Sequence, residues 1–444
     1  MKVLLVDSPF HAFMNYDRWH FPTSLAQLAA VAHEQGHEVH VYDADRYHPK
    51  DPATRNRNEL IRRQHQYFDN VDNFDHPIWR HLKKTLADIK PDVVGVSVFT
   101  CKLKTALNVL KLARECDPKV RTCVGGAHVT ALPDSFASNK DVDGVFVGYA
   151  DATFPQWLKD GCPQGTMRGD MAGIDFETLP YPRRRALLFR EHFTPRDVGF
   201  VFTSRGCVAR CTFCSNSFLW SGKPRFRPSD VVRAEMRELI EEWKIDSFLL
   251  GDSSNSDFHE ENKRVASVLK EFGLPWSSNV RWATVTRELL EHFMDCGCTG
   301  ISVGLEAGSD KILKSMRKGC TKKTIREKAR MINSLGLGFQ LFTIIGFPDE
   351  TEDEMSETRD FALEIDPTSV SLNSLSPLPG TEVFNGMPGM SAERASTVNQ
   401  LHPDQCFSKH MDLERFVEIF SKITMSFEEH NASKRAGRGA SSQK

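Results

Sequence analysis

The chain has 444 residues, with 57 Lys and Arg against 59 Asp and Glu and a formal net charge of −2. This length predicts two or three domains, and 40% hydrophobic with 26% charged residues is typical of a globular protein and excludes wholesale disorder. The balanced charge provides no basic field, so nucleic acid is not expected as a partner.

The first 150 residues alternate strand and helix patterns. Apolar, β-branched runs predict five strands, at Met1–Val6, Val39–Tyr42, Asp92–Val98, Arg121–Val124 and Gly144–Val147. Amphipathic stretches predict helices between them, at Ser24–Glu34, Pro77–Ile89 and Ala106–Cys116. This alternation predicts a parallel, doubly wound α/β sheet, in which ligands bind beyond the carboxyl ends of the strands.

Three loops follow those strand ends, at Ser97–Thr100, Gly125–His128 and Gly148–Asp151. A long polar insertion, Arg46–Lys90, separates the second and third strands. We interpret it as a surface excursion, with a cap over an active site as the alternative.

A second series of strands and helices follows a proline-rich linker. Six strands are predicted, at Val198–Thr203, Ser247–Leu250, Ser278–Trp282, Gly300–Gly304, Phe339–Ile345 and Ser369–Leu372. Helical patterns separate them, at Pro228–Glu242, His259–Phe272, Arg287–Cys296, Lys322–Leu335 and Asp353–Glu364. Six βα units indicate a parallel barrel, or most of one, with its site at the C-terminal face.

The pattern weakens after Pro379–Gly380. One last amphipathic helix is predicted at Asp412–Glu429, with one apolar face formed by Leu413, Phe416, Ile419, Phe420 and Ile423. The expected organisation is a first domain, a linker, a barrel, a C-terminal helical region and a disordered tail, at 1–155, 156–196, 197–384, 385–431 and 432–444.

The eleven cysteines are the decisive feature of the composition. Three of them, Cys207, Cys211 and Cys214, form the spacing CxxxCxxC directly after the first predicted barrel strand. Three thiolates in one loop can bind three irons of a cubane cluster and leave the fourth iron open. No second CxxC or nearby His completes a four-ligand zinc site.

The other eight cysteines are scattered and are expected to be single thiols. Asp7 interrupts the N-terminal apolar run, no segment has the roughly 20 apolar residues of a membrane span, and the cysteine count is odd. We therefore expect no signal peptide, no membrane span and a location in the reducing cytoplasm.

The cysteine loop and its surroundings resemble the radical S-adenosylmethionine (SAM) superfamily over roughly Gly199–Thr381. Further motifs recur in the family's order at the ends of successive strands: Phe213, Gly251-Asp252-Ser253, Arg281, Gly304-Leu305-Glu306, Phe347–Thr351 and Pro377–Thr381. The resemblance implies that Phe213 lies near the adenine of SAM and that Gly251, Asp252 and Ser253 contact its methionyl amine. Arg281 and Glu306 would orient SAM electrostatically, and a barrel-lining ion pair is the alternative interpretation of these two residues.

The same resemblance implies the cofactors and the chemistry. A 4Fe–4S cluster on the three cysteines would cleave SAM, and the 5′-deoxyadenosyl radical would take a hydrogen atom from an unactivated carbon. Such an enzyme requires a small-molecule substrate and a reducing partner such as flavodoxin or ferredoxin.

The N-terminal half resembles the cobalamin (B12)-binding domain that precedes the barrel in a large radical SAM subgroup. The matching stretches are Met1–Pro9, Pro22–Asp43, Pro91–Thr100, Cys123–Pro133 and Val142–Asp151, with the linker Ile174–Pro182. The implied fold is flavodoxin-like (Rossmann-type), with corrin contacts at Ser97, Thr100, Gly125 and Gly126. The cobalt-ligating motif Asp-x-His-x-x-Gly is absent, and Gly-Tyr-Ala-Asp replaces the subgroup's usual Gly-Glu-Gly-Glu at 148–151.

The expected protein is an α/β chain with a B12-binding domain, a radical SAM partial (β/α)6 TIM-like barrel and a small C-terminal helical region. The main hypothesis is a cobalamin-dependent methyltransferase that methylates an unactivated carbon. One alternative is a vestigial B12-type domain with another radical outcome: dehydration, cyclisation, rearrangement or transfer of another SAM-derived group. A non-enzymatic iron–sulfur or cobalamin carrier or sensor is the third hypothesis.

Overall fold

The structure is a computed structural model that describes residues 1–17, 21–47, 63–137, 139–220, 222–398 and 403–441. The chain divides into two compact units, 1–198 with 387–397, and 199–386 with the residues from 398 onward. Both units are α/β, as predicted. No helix within the described ranges is long and apolar enough to cross a membrane.

The first unit is built on a six-stranded parallel sheet with the strand order β2-β1-β3-β4-β5-β6. The strands are β1 Lys2–Asp7, β2 Glu38–Asp43, β3 Val93–Ser97, β4 Arg121–Gly125, β5 Gly144–Gly148 and β6 Gly165–Gly169. In register, Asp7 pairs with Asp43 on one side and with Ser97 on the other, so the carboxyl ends of β1, β2 and β3 are level. This is the predicted flavodoxin-like order, in which the order of strand addition reverses between β1 and β3 while all strands stay parallel.

Helices cover this sheet, and three of them lie where the apolar periodicity predicts, at 23–34, 77–89 and 103–116. They are α1 Thr23–Glu34, α2 Gln64–Asn70, α3 Pro77–Ile89, α4 Leu103–Cys116, α5 Ala127–Ala131, α6 Asp134–Ala137, α7 Thr153–Lys159 and α8 Pro195–Val198. Helix α3 begins with Pro77, whose fixed φ suits a first turn, and ends at Lys90 in the left-handed conformation. Within the insertion 46–90, residues 48–62 lie outside the described residues.

The predicted linker 156–196 is folded into the first unit, which corrects the expected boundary at 155. It contributes β6, parallel to β5. Its apolar side chains pack on Val31 in one buried cluster, formed by Ile174, Phe176 and Leu179. Arg184 is fully buried, donates from Nε to the Val198 carbonyl at 3.0 Å and stacks over Phe21. Strand β6 reads Gly-Thr-Met-Arg-Gly and has no apolar alternation, so periodicity could not reveal it.

The second unit is the predicted open barrel. Its six parallel strands follow one another in sequence order, and the first and last are at the two edges. They are β7 Phe200–Val201, β10 Phe248–Leu250, β11 Trp276–Val280, β12 Cys298–Glu306, β13 Gly338–Ile345 and β14 Ser369–Ser374. A short antiparallel pair, β8 Ser204–Arg205 and β9 Arg225–Phe226, lies between β7 and the first long helix.

The helices of this unit alternate with its strands. They are α9 Asn216–Leu219, α10 Ser229–Trp243, α11 His259–Lys270, α12 Arg287–Asp295, α13 Asp310–Ser315, α14 Lys322–Ser334, α15 Glu352–Glu364 and α16 Glu382–Asn385. Hydroxyl N-caps start several of them, and Thr351 forms a full capping box with Glu354 at the start of α15.

The C-terminal region differs from the prediction in three respects. The segment 387–397, with α17 Ala392–Ser396, groups with the first unit. Helix α18 runs over Leu413–Ser441, so the predicted disorder from Ala432 is wrong as far as Ser441. Leu413 is 44% exposed, and the buried face is instead formed by Phe416, Ile419, Phe420, Ile423 and Phe427.

The position of α18 explains why the helix continues past its apolar face. The Asn431 side chain accepts from the Val370 amide at 2.8 Å and donates to the Val370 carbonyl at 2.9 Å. These bonds satisfy the open edge of β14, which has no further strand beside it among the described residues. Asn431 fixes its turn of the helix to β14. The residues that follow include Ala, Ser, Lys and Arg, which can continue the helix from that turn.

Candidate functional site

The cysteine loop leaves the carboxyl end of β7, where a parallel barrel concentrates its functional groups. Cys207 and Cys211 are buried and Cys214 is half-buried. Backbone bonds from Cys207 N to Trp220 O at 2.9 Å and from Cys214 N to Cys211 O at 3.2 Å fix the path of the loop. Thr212 N donates to Met316 O at 3.1 Å, which ties the middle of the loop to the residues after α13.

The three thiols suit a cluster rather than free reactive cysteines. Burial raises the pKa of Cys211 and raises that of Cys214 to about 11. Among the described residues, no three His, Cys, Asp or Glu side chains converge as ligands of a single ion. Three sulfurs that each bind a different iron of a cluster do not need to converge. The donor set therefore fits a cubane cluster with one open iron.

Phe213 lies inside the cysteine loop and is part of an aromatic contact at the mouth of the barrel. Its ring is 6.0 Å from the ring of Phe347, edge to face, in the loop after β13. Glu350 closes that loop by accepting from the amides of Gly346 at 2.7 Å and Phe347 at 3.1 Å. Burial raises the pKa of Glu350 to about 8. The aromatic pair therefore joins the cysteine loop to the loop after β13 by an apolar contact.

Glu306 ends β12 in a strained conformation beside the cysteine loop. Its φ is +66°, in the left-handed region, which costs a non-glycine residue on the order of 1–3 kcal/mol. The carboxylate accepts from Lys318 Nζ at 2.7 Å, and the two side chains are only 11% and 13% exposed. A Cβ on Gly304 would lie 1.9 Å from Glu306 Oε1 and 2.9 Å from Lys318 Nζ, so a side chain at this position would displace the ends of this pair.

Lys318 brings a buried cation to the same place. Burial opposes its charge, but the ion pair with Glu306 outweighs that effect and raises the pKa of Lys318. The charges of Lys318 and Glu306 both act on the Cys211 thiol. The barrel therefore presents a positive and a negative group beside the cysteines.

Arg281 follows β11 and forms a second ion pair. Its Nη1 is 2.6 Å from Oδ1 of Asp257, whose side chain is 3% exposed. Oδ2 of Asp257 is buried without a hydrogen-bond partner. Arg281 and Glu306 thus do not pair with each other; each has its own partner.

The segment Gly251-Asp252-Ser253 follows β10 and is bonded to the start of the cysteine loop. Asp252 is fully buried, and its carboxylate accepts from the amides and hydroxyls of both Thr203 and Ser204. Asn255 Nδ2 adds a further bond at 3.3 Å. These bonds occupy the carboxylate, so the backbone of the segment is what it has left for contact with a ligand. Gly251 is required by packing, because a Cβ there would lie 2.4 Å from the Phe200 ring.

The predicted corrin contacts of the first unit lie together at the carboxyl edge of its sheet. Ser97 ends β3, Thr100 follows it, and Gly125 ends β4. Gly126 has a φ of +103°, and a Cβ there would be 3.0 Å from the backbone of Val98. The chain is therefore folded tightly at this edge, with no room for a side chain at Gly126.

Two further residues at this edge fit a large, flat ligand with polar substituents. The ring of Phe99 is 48% exposed. His128 is buried, with Nδ1 at 3.2 Å from Thr100 Oγ1 and with Nε2 lacking any hydrogen-bond partner. Burial lowers the pKa of His128 to about 4, so the ring is neutral at physiological pH. An exposed aromatic ring and an unsatisfied imidazole nitrogen fit the corrin ring and its amide side chains.

Sequence reasoning missed a buried charge network beside this edge. Lys102 Nζ lies 2.7 Å from Asp7 and 2.8 Å from Asp45, and all three side chains are buried. Asp45 also accepts from the amides of Phe10 and Ala12. A lysine in a polar, helix-starting stretch carries no pattern that predicts burial. Lys318 was missed for the same reason.

Comparison with known families agrees with both units. Residues 201–362 match the model of the radical SAM superfamily, and residues 16–158 match that of the B12 binding domain. The chain therefore carries a radical SAM domain, preceded by a B12-binding domain. The cofactors predicted from sequence, a 4Fe–4S cluster, SAM and cobalamin, are those of these two families.

Individual relatives extend over most of the chain. Cytidylyl-2-hydroxyethylphosphonate methyltransferase of Streptomyces wedmorensis is 27% identical, over 86% of this chain and 81% of its own length. An uncharacterized methyltransferase of Pyrococcus horikoshii is 26% identical, over 78% of this chain and 80% of its own. The fold is similar to that of the radical SAM methyltransferase TsrM from Kitasatospora setae, solved with cobalamin and a 4Fe–4S cluster. The TM-score is 0.69 at 16% identity, with 95% of this chain and 88% of that one covered.

Proposed function

We propose that this chain transfers a methyl group from SAM, by way of cobalamin, to an unactivated carbon of a small-molecule substrate. The observation that carries the proposal is the pairing, in one chain, of a three-cysteine loop at a barrel mouth with a flavodoxin-like sheet. The carboxyl edge of that sheet presents Ser97, Thr100, Gly125 and Gly126. When bound, the cluster and SAM supply a 5′-deoxyadenosyl radical, and cobalamin supplies the methyl group.

The residues of the barrel have separate tasks in this proposal. Cys207, Cys211 and Cys214 hold three irons, and the Phe213 ring supports the adenine. Glu306 and Lys318 present opposite charges at 2.7 Å separation, which suits the zwitterionic methionyl end of SAM. Their low exposure keeps water away and strengthens that electrostatic orientation.

Arg281, Ser253 and Gly251 complete the proposed SAM site. Arg281 has one nitrogen on Asp257, which fixes the guanidinium without using all its donors. The backbone of Gly251-Asp252-Ser253 is what remains for contacts with the methionyl amine, since the Asp252 carboxylate is occupied.

The radical SAM family requires a one-electron reductant, and we assign this role to a flavodoxin or ferredoxin in the cytoplasm. The eleven cysteines are all free thiols, which is consistent with a reducing compartment.

The test is anaerobic reconstitution followed by product analysis. Wild type is expected to bind about four irons per chain and to form 5′-deoxyadenosine from SAM and a strong reductant. Cys207→Ala, Cys211→Ala and Cys214→Ala should each abolish this product, while Cys116→Ala, an exposed thiol of the first unit, should not. Activity that survives all three loop substitutions would overturn the cluster assignment.

Cobalamin binding has its own readout. After incubation with hydroxocobalamin and desalting, the protein should retain a visible corrin spectrum. A colourless product would contradict the cobalamin-dependent transfer and would leave the radical chemistry of the barrel intact.

A further inference from the structure

The two ends of the cysteine loop are held by one short segment of the neighbouring strand. At the incoming end, Asp252 accepts from Thr203 N at 2.9 Å, from Thr203 Oγ1 at 3.0 Å and from Ser204 Oγ at 2.7 Å. The Ser204 amide donates to the same carboxylate. Ser204 begins β8, three residues before Cys207. The carboxylate thus fixes the direction in which the chain enters the loop.

The outgoing end is held by the next residue. Ser253 Oγ accepts from Asn216 Nδ2 at 3.0 Å. Asn216 is two residues after Cys214 and begins α9. Adjacent residues of one segment therefore contact the chain on both sides of the three cysteines.

The segment is itself rigid, so it can act as a fixed reference. Gly251 N donates to Val201 O at 2.7 Å, and the Asp252 carbonyl accepts from Asn279 Nδ2 at 3.1 Å in β11. Asp252 is completely buried, and burial raises its pKa while the hydrogen bonds from Ser204 and Thr203 oppose the rise. A buried carboxylate with this many donors is costly to leave unsatisfied.

We propose that Asp252 and Ser253 are positioning residues that set the spacing of the three cluster ligands by holding both ends of the cysteine loop. The proposal rests on the proposed function only in taking Cys207, Cys211 and Cys214 as the cluster ligands. It assigns the Asp252 carboxylate no contact with SAM. Asp252 acts on the cysteine loop through Thr203 and Ser204, and Ser253 acts on it through Asn216.

The test uses Asp252→Asn and Ser253→Ala in the full chain. Asn has the same shape as Asp, but its amide group places donors opposite the donors of Thr203 and Ser204. Ser253→Ala removes only the bond to Asn216. The matched control is Asp143→Asn, because Asp143 is also a buried carboxylate that accepts from a backbone amide and a hydroxyl, those of Thr122, but it belongs to the first unit.

The readouts are iron and acid-labile sulfide per chain, and the EPR spectrum of the reduced cluster with and without SAM. The proposal predicts that Asp252→Asn loses bound iron or shifts the EPR signal, and that Ser253→Ala shifts the signal in the same sense with a smaller loss. Asp143→Asn should keep the wild-type spectrum. If Asp252→Asn fails to fold, Ser253→Ala decides alone, because it leaves the carboxylate network complete.

Wild-type iron content and an unchanged EPR spectrum in both variants would overturn the proposal. A spectrum that changes equally in Asp143→Asn would also overturn it, because the effect would then be one of general stability. A wild-type protein that binds no cluster would instead refute the proposed function, so the two failures are distinguishable.

Discussion

The ion pair between Glu306 and Lys318 gives a quantitative prediction that needs no cofactor. The pair has a 2.7 Å contact, and its side chains are 11% and 13% exposed. Lys318→Met keeps the length of the side chain and removes the charge, which leaves the Glu306 carboxylate buried and unpaired. Breaking a buried pair in this way costs roughly 3–5 kcal/mol. Because both groups retain some exposure, we expect about 3 kcal/mol.

That cost should be visible in the unfolding of the apoprotein. In a domain of about 150–250 residues, 1 kcal/mol shifts the Tm by about 2–4 °C, so Lys318→Met should lower the transition of the barrel by about 6–12 °C. The double variant Glu306→Gln with Lys318→Met carries neither charge and should recover part of the loss. A double-mutant cycle in urea would measure the coupling directly.

The control for this prediction is a pair of the same length on the surface. Lys84 and Asp88 are also 2.7 Å apart but are 74% and 61% exposed, so Lys84→Met should change stability by at most about 1 kcal/mol. Two results would refute this reasoning. One is a loss of unfolding free energy in Lys318→Met no larger than that in Lys84→Met. The other is a double variant whose loss equals the sum of the losses of Glu306→Gln and Lys318→Met within about 0.5 kcal/mol, because the buried pair would then not stabilise the fold.

Three further predictions concern stability elsewhere in the chain. Burial raises the pKa of the Glu350 carboxyl from 4.5 to about 8, so between these pH values the folded protein holds a proton that the unfolded chain has lost. Its stability should therefore fall as the pH rises from 4.5 to about 8. Glu350→Gln should flatten this fall in a plot of Tm against pH. Asn431→Ala removes both bonds to Val370 and should cost about 1–3 kcal/mol in denaturant unfolding. Removing residues 435–444 should change stability by less than about 0.5 kcal/mol, because residues 435–437 of α18 are exposed; a larger loss in denaturant unfolding would contradict this expectation.

Much of the fold followed from periodicity. Apolar runs bounded by turn residues located eleven of the twelve strands in the two parallel sheets, and helix α3 has the predicted bounds Pro77–Ile89. The missed strand β6 has glycine at both ends and one partly buried apolar residue, Met167. Edge strands of this kind are defined by backbone pairing with a neighbour, which the sequence does not display.

The site was predictable where chemistry depends on spacing along the chain. The spacing CxxxCxxC places three thiols and Phe213 in one loop. The predicted strand ends indicate where Arg281 and Glu306 lie. Partners from distant loops were not predictable, because no spacing rule connects Glu306 with Lys318 or Arg281 with Asp257. Asp252 shows the limit most clearly: its position was correct, but only the structure shows that its carboxylate faces Thr203 and Ser204.

The central claim is that one chain uses SAM both as a radical source and as the methyl donor to cobalamin. Mass spectrometry of SAM products from the reconstituted enzyme, with and without bound cobalamin under strong reductant, tests it most directly. We predict 5′-deoxyadenosine in both samples and S-adenosylhomocysteine only when cobalamin is bound. Formation of 5′-deoxyadenosine without S-adenosylhomocysteine in the corrin-loaded enzyme would contradict the account and would indicate a different radical outcome.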